Sequence, residues 1–583
     1  MFDNGTPRSA ASFVDDALRD KPELIVHAGD LPATARALRD LFAASGRLFD
    51  RGMVVVKAVH PADGGPPAAT RLTVNSVVTE AHRLCQPVKI GANHERSAIT
   101  LPDRVARMYL DMPGEWRLPP LDGITTAPLL TADGAIQFAE GYDRSTRLWC
   151  CEVPSIEVPK RPHRGGAEAA LQLLRHAFRT FPFTDAVRQF DPTLRIEVVD
   201  PNRSPGRDES AFLAALLTAV CRASLWLAPG FLIVAPAVSG SGTGKGLLVR
   251  AICAIAFGIR PRAFTSGRDR QELDKRLAAE LVEAAPALFL DNVNSAVLRS
   301  DTLASLRTER PARVRVLGET RMVSLNSSAF VAVTGNGLTV SEDLARRFIP
   351  CELDARCEDP ETRPFSHGFL EEIESRRSEL WTAVLTVWRW GRQSDSLKHG
   401  RPLGSFEGWC EWVRDPLLTL GCADPVERIE ALKTKDPQRQ RIAELFEVWW
   451  DNHGEAPVKI ANLAEPVQKV IDPQGRGRQF IASYLGNLEG TRAAGFVLSR
   501  QHPAGKWGAA TYSLKRTNAV AEDGIGHGGH RDHRDHRGSA DQDTEPMPPM
   551  GPMPDGALGA GGPAGVEIHR DVQPNGSYPA AKQ

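Results

Sequence analysis

The stretch that decides the fold is Phe231–Arg250, which reads FLIVAPAVSGSGTGKGLLVR. A short apolar run at its start gives way to a loop in which glycine alternates with small polar residues, and this loop ends at Lys245. Apolar residues then recur from Leu247 at the spacing of a helix. The stretch therefore predicts a buried strand, a glycine-rich loop and a helix, in that order.

A loop of this kind is suited to bind phosphate groups. Its glycines let backbone N–H groups converge on an anion, the helix N-terminus adds its dipole, and a lysine supplies positive charge for the outer phosphates. The alternative is an ordinary glycine-rich turn that contains a lysine by chance. We predict a nucleotide-binding loop made of Gly240, Ser241, Gly242, Thr243, Gly244, Lys245 and Gly246.

Two positions depart from the common form of such a loop, G-x-x-x-x-G-K-[ST]. Ser239 stands where the first glycine is expected. Gly246 stands where a serine or threonine hydroxyl would contact Mg²⁺.

Composition excludes several classes of protein. With 583 residues, of which 42% are hydrophobic, the chain is long enough for several domains with cores of their own. Its longest apolar zone is interrupted by Arg222 and by Pro229-Gly230, and its first residues lack the pattern of a secretory signal, so we expect a cytoplasmic protein without a membrane span. Nine scattered cysteines without C-x-x-C argue against a disulfide framework or a zinc module. A net charge of −1 means that any contact with DNA must come from local patches.

An acidic residue follows the next strongly apolar run. Ala287–Leu290 predicts a buried strand, and Asp291 comes directly after it. A carboxylate at the carboxyl end of a parallel strand beside a phosphate loop can supply an oxygen ligand to Mg²⁺, directly or through water. The alternative is a turn residue after a strand. We predict that Asp291 is a catalytic residue and the metal ligand.

Polar residues also follow the later strands. An apolar run from Ala329 to Thr334 leads to Asn336, whose amide can contact the outer phosphate and the attacking water. Arg346 and Arg347 come just before the strand that starts at Ile349. Adjacent arginines are usually solvated. Because this pair follows Asn336, it is also suited to reach the nucleotide of a neighbouring subunit.

Residues 210–355 resemble the AAA+ core of superfamily 3 helicases, in particular the primase-helicases of phages, viruses and plasmid-like elements. The matching parts are the phosphate loop, the strand that ends at Asp291, a hairpin before Asn336, Asn336 itself and the arginine pair. The resemblance implies a homohexameric ring with ATP and Mg²⁺ at subunit interfaces. It also implies that single-stranded or forked DNA is held in a central channel by hairpin residues, here Arg315 and Arg321. A separate primase is a possible further partner.

Asn292 is a third departure, because many ring ATPases have glutamate at this position to polarise the attacking water. Asparagine can orient a water but cannot accept its proton. Since phosphoryl transfer depends mostly on positioning and charge, hydrolysis remains possible, with Asn292 kept as a catalytic candidate and the base unassigned.

We therefore predict an α/β protein with an AAA+ P-loop ATPase core. The expected parts are an N-terminal α+β region (1–160), a linker and helix (161–205), the core (206–365), a helical lid (366–432), a winged-helix-like domain (433–516) and a disordered tail (517–583).

The leading functional hypothesis is an ATP-dependent DNA helicase that serves replication of a phage, plasmid or integrated mobile element. One alternative is an AAA+ ATPase that loads or remodels proteins on DNA without unwinding it. Another is a degenerate ATPase kept as a structural DNA-binding ring.

Overall fold

The central sheet forms mainly from apolar runs that are buried on both faces, as is usual for parallel strands, while its two-residue edge strand Ala263–Phe264 is more exposed. The computed structural model describes residues 21–60, 65–154, 156–265, 270–294, 297–315, 322–362, 368–502 and 509–517. Five parallel strands build this sheet: Gly230–Ala235 (β1), Ala263–Phe264 (β2), Ala287–Leu290 (β3), Phe330–Asn336 (β4) and Phe348–Glu352 (β5). Their order across the sheet is β2-β3-β4-β1-β5. The fold is therefore α/β in class, as predicted.

Helical layers cover both faces of this sheet. Along β1, Phe231 and Ile233 pack into one layer, whereas Leu232 packs into the other. The first layer contains helices Arg207–Cys221, Lys245–Phe257 and Arg377–Gln393. The second contains helices Arg270–Val282 and Asp301–Thr308 together with a hairpin of strands Ala312–Arg315 and Met322–Leu325.

The N-terminal part combines short strands with three helices. The helices are Leu31–Ser45, Val74–Leu84 and Asp103–Leu110. The strands are Glu23–Ile25, Phe49–Asp50, Val55–Val59, Ala68–Arg71, Gln86–Ile90, Arg96–Ala98, Gly123–Thr125, Leu129–Leu130, Ile136–Gln137, Gly141–Asp143 and Leu148–Cys150.

Arg51 ties this N-terminal part to the second helical layer. Its side chain is buried, and its guanidinium donates hydrogen bonds to the carbonyl oxygens of Val282 (3.0 Å), Leu121 (3.0 Å) and Leu281. Burial lowers the pKa of Arg51 to about 10, although Asp122 acts in the opposite direction. The contact therefore joins segments far apart in the chain through one buried cation.

We expect Arg51→Met to lower the free energy of unfolding by about 3 kcal/mol, because the buried carbonyl groups lose their donor. Denaturant unfolding followed by tryptophan fluorescence measures the change. Arg47→Met, at an exposed position nearby, is the matched control and should have little effect. Equal stabilities of the two variants would contradict a bridging role for Arg51.

The segments on either side of the core are mostly helical. Before it lie helix Arg164–Ala177 and the paired strands Arg188–Asp191 and Ile196–Val199. Within and after it lie the paired strands Val297–Leu298 and Thr339–Val340 and the helices Glu342–Ala345, Phe369–Ser375, Glu407–Trp409, Asp415–Thr419 and Arg428–Thr434. Trp381, Trp388 and Trp409 are fully buried in this region, so they pack in the core.

The C-terminal part folds as helices against a small antiparallel sheet. The helices are Pro437–His453, Glu465–Ile471 and Arg478–Asn487. The strands, in their order across the sheet, are Val458–Lys459, Thr511–Arg516, Phe496–Gln501 and Arg492–Ala493. The predicted disordered tail, from residue 518 onward, lies outside the described residues. None of the helices in the described ranges has both the length and the apolar character needed to cross a membrane.

Candidate nucleotide-binding site

The glycine-rich loop follows β1 and leads into a helix whose first residue is Lys245. Lys245 is buried, and its ammonium group donates to the carbonyl oxygen of Gly240 (2.6 Å) and to the hydroxyl of Thr243 (3.2 Å). The Thr243 hydroxyl donates to the same carbonyl oxygen (3.0 Å). The lysine is thus held within the loop, where bound phosphate oxygens can replace these partners.

Three loop positions require glycine for different reasons. Gly242 and Gly244 have φ angles of 74° and 91°, which side chains rarely adopt. A Cβ on Gly240 would lie 2.1 Å from the carbonyl oxygen of Pro236. A Cβ on Gly242 would also lie 2.5 Å from the backbone nitrogen of Glu361, so the turn Pro360–Thr362 lies against the loop.

Ser239, the first departure from the common loop, has a left-handed backbone with a φ angle of 60°. Glycine adopts this conformation readily, whereas serine adopts it at a cost of about 1 kcal/mol. The serine hydroxyl donates to the carbonyl oxygen of Val238 (2.5 Å). The loop therefore keeps the backbone geometry of a glycine at this position without having one.

Asp291 lies at the carboxyl end of β3, beside the neighbouring strand β4. Its carboxylate accepts a hydrogen bond from the hydroxyl of Thr334, a fully buried residue of β4. A Cβ on Gly246 would lie 3.7 Å from each of the two carboxylate oxygens. The structure therefore brings Asp291 to the start of the loop helix.

Two asparagines lie at the same edge of the sheet. Asn292 has a left-handed backbone with a φ angle of 59°, and its N–H donates to the Thr334 hydroxyl (3.3 Å). Asparagine tolerates this conformation better than glutamate does, which gives a backbone reason for this departure. Asn336 donates its N–H to the side chain of Asn294 (2.8 Å).

The Asn336 side chain faces the loop. Its amide oxygen is buried without a hydrogen-bond partner, and a Cβ on Gly240 would lie 2.8 Å from it. An unpaired buried amide is costly, so a polar group bound in the loop would satisfy it. Asn336 is therefore placed to contact a bound phosphate or a water beside it.

Lys245 is sensitive to pH in the range where the protein can be assayed. Burial lowers its pKa to about 8, with Asp291 acting in the opposite direction. Below pH 8 the amino group of Lys245 carries a proton and a positive charge. Above pH 8 it is mostly neutral in the free protein, so binding an anion to a charged lysine requires the uptake of a proton.

We expect the affinity for ATP to fall as the pH rises through about 8, by up to about tenfold per pH unit. Equilibrium titration with a fluorescent ATP analogue measures it. Lys245→Arg, which stays charged, should show no such fall. A flat profile for the unaltered protein would contradict this role of the lysine.

Arg346 and Arg347 lie at the amino-terminal ends of the strands, opposite to the ends that carry the loop. The N–H of Gly230, the first residue of β1, donates to the carbonyl oxygen of Arg347 (2.9 Å), whereas the loop follows the last residue of β1. Six strand residues separate these ends by about 20 Å. The structure thus does not bring the arginine pair to the loop of its own chain.

The arginine pair lines a cavity of about 930 Å³ between the core and the segment 401–433, which follows the core in the chain. Arg346 is exposed and Arg347 is mostly buried, and both pair with Asp343. The Nε atom of Arg347 is buried without a hydrogen-bond partner. The cavity is lined by charges of both signs, and three of its other cations pair with carboxylates: Arg207 with Glu427, Arg428 with Asp208 and Lys433 with Glu430.

The hairpin carries Arg315 on its exposed side, in alternation with buried Val314. Arg313 shares that exposed side. Arg321, the second predicted DNA contact, lies outside the described residues.

Sequence reasoning missed three residues of this site, namely Thr334, Asn294 and Arg250. Thr334 is a polar residue inside an apolar run, which is a signal that could have been noticed. Arg250 lies one helical turn after Gly246, and its Nη2 is 3.7 Å from an Asp291 oxygen. Helical spacing from Gly246 could have pointed to Arg250, whereas Asn294 does not stand out without knowing which strands are neighbours.

No protein-family model matches the chain, and no curated protein matches it. Among solved structures, it is similar to an apo structure of the NrS-1 C-terminal region, with 12% identity over 82% of this chain and 98% of that chain and a TM-score of 0.32. A second apo structure of that region gives 13% identity, the same coverage and a TM-score of 0.33. A JCV helicase bound to a small molecule gives 14% identity, 42% and 64% coverage and a TM-score of 0.20. TM-scores this low carry no argument about function, which must rest on the geometry of the site.

Proposed function

We propose that the protein is an ATP-dependent DNA helicase of the AAA+ type, related to superfamily 3. One observation carries this proposal: a glycine-rich loop with a buried lysine, an aspartate and an unpaired amide meet at the carboxyl edge of a parallel sheet, which is where α/β proteins bind nucleotides. Lys245 and the loop N–H groups hold the phosphates, and Asn336 contacts the outer phosphate or the attacking water.

Mg²⁺ is the metal that this reaction class uses, and Asp291 is the residue that would hold it. Magnesium sites often have one carboxylate, with phosphate oxygens and waters as the other ligands, so Asp291 can hold the ion even though Gly246 has no hydroxyl and Arg250 lies 3.7 Å from the same carboxylate. When bound, the ion neutralises charge on the phosphates. The Thr334 hydroxyl fixes the orientation of the Asp291 carboxylate.

The arginine pair supports a ring, and a homohexamer is the form that we propose. Because Arg346 and Arg347 lie about 20 Å from their own loop, they contribute to catalysis only if a neighbouring subunit brings its nucleotide to them.

Single-stranded or forked DNA is the proposed substrate, and the hairpin is the proposed contact. Arg313 and Arg315 project from it on one exposed side and would bind backbone phosphates through charge. We further propose that the small sheet and helices of the C-terminal part act as a winged-helix-like domain, that the helicase serves replication of a mobile element, and that a separate primase assists it.

The deciding experiment is ATP turnover by the full chain with and without single-stranded DNA. We expect stimulation by DNA, and the variant Arg313→Gln/Arg315→Gln should lose most of the stimulation while keeping its basal turnover. Arg203→Gln, at an exposed position outside the hairpin, is the control. Turnover that ignores DNA would favour the alternative of an ATPase that loads or remodels proteins, and absence of turnover would favour a structural ring.

A further inference from the structure

The missing hydroxyl at Gly246 leaves a space that another side chain fills. A Cβ on Gly246 would lie 2.7 Å from the Nη1 atom of Arg250. The same Cβ would lie 3.7 Å from both oxygens of Asp291. A guanidinium group therefore occupies the place where the common loop has a Ser or Thr side chain.

The helix explains how Arg250 reaches this place. Residues four apart lie on the same face of a helix, and long side chains lean toward the helix N-terminus. Arg250 thus extends back over Gly246, with its Nη2 atom 3.7 Å from one Asp291 oxygen and its guanidinium 5.4 Å from the ring centre of Phe289. Its side chain stays about one third exposed.

A cation at this place changes the chemistry of the site. In the common loop, the hydroxyl is a neutral ligand that helps to bind Mg²⁺, whereas a guanidinium repels the ion and can itself donate hydrogen bonds to phosphate oxygens. Arg250 and a metal ion would also share the same partner, the Asp291 carboxylate.

We propose that Arg250 is a built-in cation of the phosphate site, which contacts the bound phosphates and makes nucleotide binding only weakly dependent on Mg²⁺. The proposal rests on the proposed nucleotide site and adds a specificity to it. It concerns binding, so that it applies whether or not the bound nucleotide is hydrolysed rapidly.

The test is equilibrium binding of a fluorescent ATP analogue to the full chain, in excess EDTA and in excess Mg²⁺. We expect the unaltered protein to bind with similar affinity in both. Arg250→Gln should lose about tenfold in affinity in EDTA, the size of one charge-assisted hydrogen bond. Arg262→Gln, which removes a surface arginine outside the loop helix, is the matched control and should leave both affinities unchanged.

A second variant separates this role from a loss of folding. In Arg250→Gln/Gly246→Ser, glutamine is shorter than arginine and leaves room for the serine hydroxyl to bind Mg²⁺. This variant should therefore bind the ATP analogue weakly in EDTA and with restored affinity in Mg²⁺. Strong dependence of the unaltered protein on Mg²⁺, or no effect of Arg250→Gln in EDTA, would overturn the proposal. Failure of the unaltered protein to bind nucleotide in either condition would overturn the nucleotide site itself.

Discussion

Replacing Lys245 by alanine is expected to reduce ATP turnover by at least about a hundredfold. The lysine is held inside the loop by hydrogen bonds to the loop itself, to Gly240 and Thr243. Because its partners are a neutral carbonyl and a hydroxyl, its charge is available for phosphate oxygens. Removing it leaves the charge that develops on the transferred phosphoryl group without its nearest counter-charge in the loop.

Phosphate release and equilibrium binding of an ATP analogue measure this effect separately. Lys275→Ala is the matched control, since Lys275 is half exposed on a neighbouring helix, 3.9 Å from Glu272, and should leave turnover unchanged. If Lys245→Ala turned over ATP at the rate of the control, the loop would not be the nucleotide site, whatever its resemblance to one.

Local sequence predicted the elements that carry this site. The apolar runs of β1, β3 and β4 are long enough to identify as buried strands, and glycine positions mark the loop between β1 and its helix. The apolar runs 53–59 and 70–74, on either side of the Pro/Gly-rich stretch 61–67, also predict a hairpin, and Val55–Val59 pairs with Ala68–Arg71. Each of these features depends on residues close together in the chain.

Two local predictions were wrong because polar caps start helices earlier than the apolar pattern indicated. The apolar run Thr70–Val74 predicts a strand, but Val74 begins a helix because the Thr73 hydroxyl accepts from the N–H of Ser76 (3.2 Å). The Pro/Gly-rich stretch Pro159–Gly166 predicts a linker, but a helix already starts at Arg164, where the His163 side chain accepts a hydrogen bond from the N–H of Gly166 (3.0 Å).

Features that depend on strand order could not be predicted. The Thr334 hydroxyl meets Asp291 only because β3 and β4 are neighbours in the sheet. The cavity that the arginine pair shares with the segment 401–433 depends on packing between distant parts of the chain.

The second large effect concerns this arginine pair. We expect Arg346→Ala/Arg347→Ala to reduce ATP turnover by about a thousandfold, the size found when an arginine that stabilises phosphoryl transfer is absent. Nucleotide binding should stay nearly unchanged, because the loop lies at the other ends of the strands. Measuring turnover and binding on the same sample separates a catalytic loss from a folding loss.

Mixing inactive variants then tests whether the pair acts across a subunit interface. In rings assembled from equal amounts of Lys245→Ala and Arg346→Ala/Arg347→Ala proteins, about a quarter of the interfaces join an intact loop to intact arginines. Part of the turnover should therefore return on mixing, and dilution below the assembly concentration should remove it. A mixture of Lys245→Ala with the triple variant Lys245→Ala/Arg346→Ala/Arg347→Ala has no intact loop and is the control.

The outcome distinguishes a shared site from a structural role of the pair. Arg347 pairs with Asp343 and carries a buried Nε atom without a partner, so its loss could act on its own subunit by weakening the packing around the cavity. Weakened packing would not be repaired by a second inactive protein, since each subunit would keep its own defect. Two results together would therefore remove the main support for a ring in which neighbouring subunits complete each other's sites. They are a mixture that stays inactive and an unaltered protein whose turnover per subunit does not change on dilution.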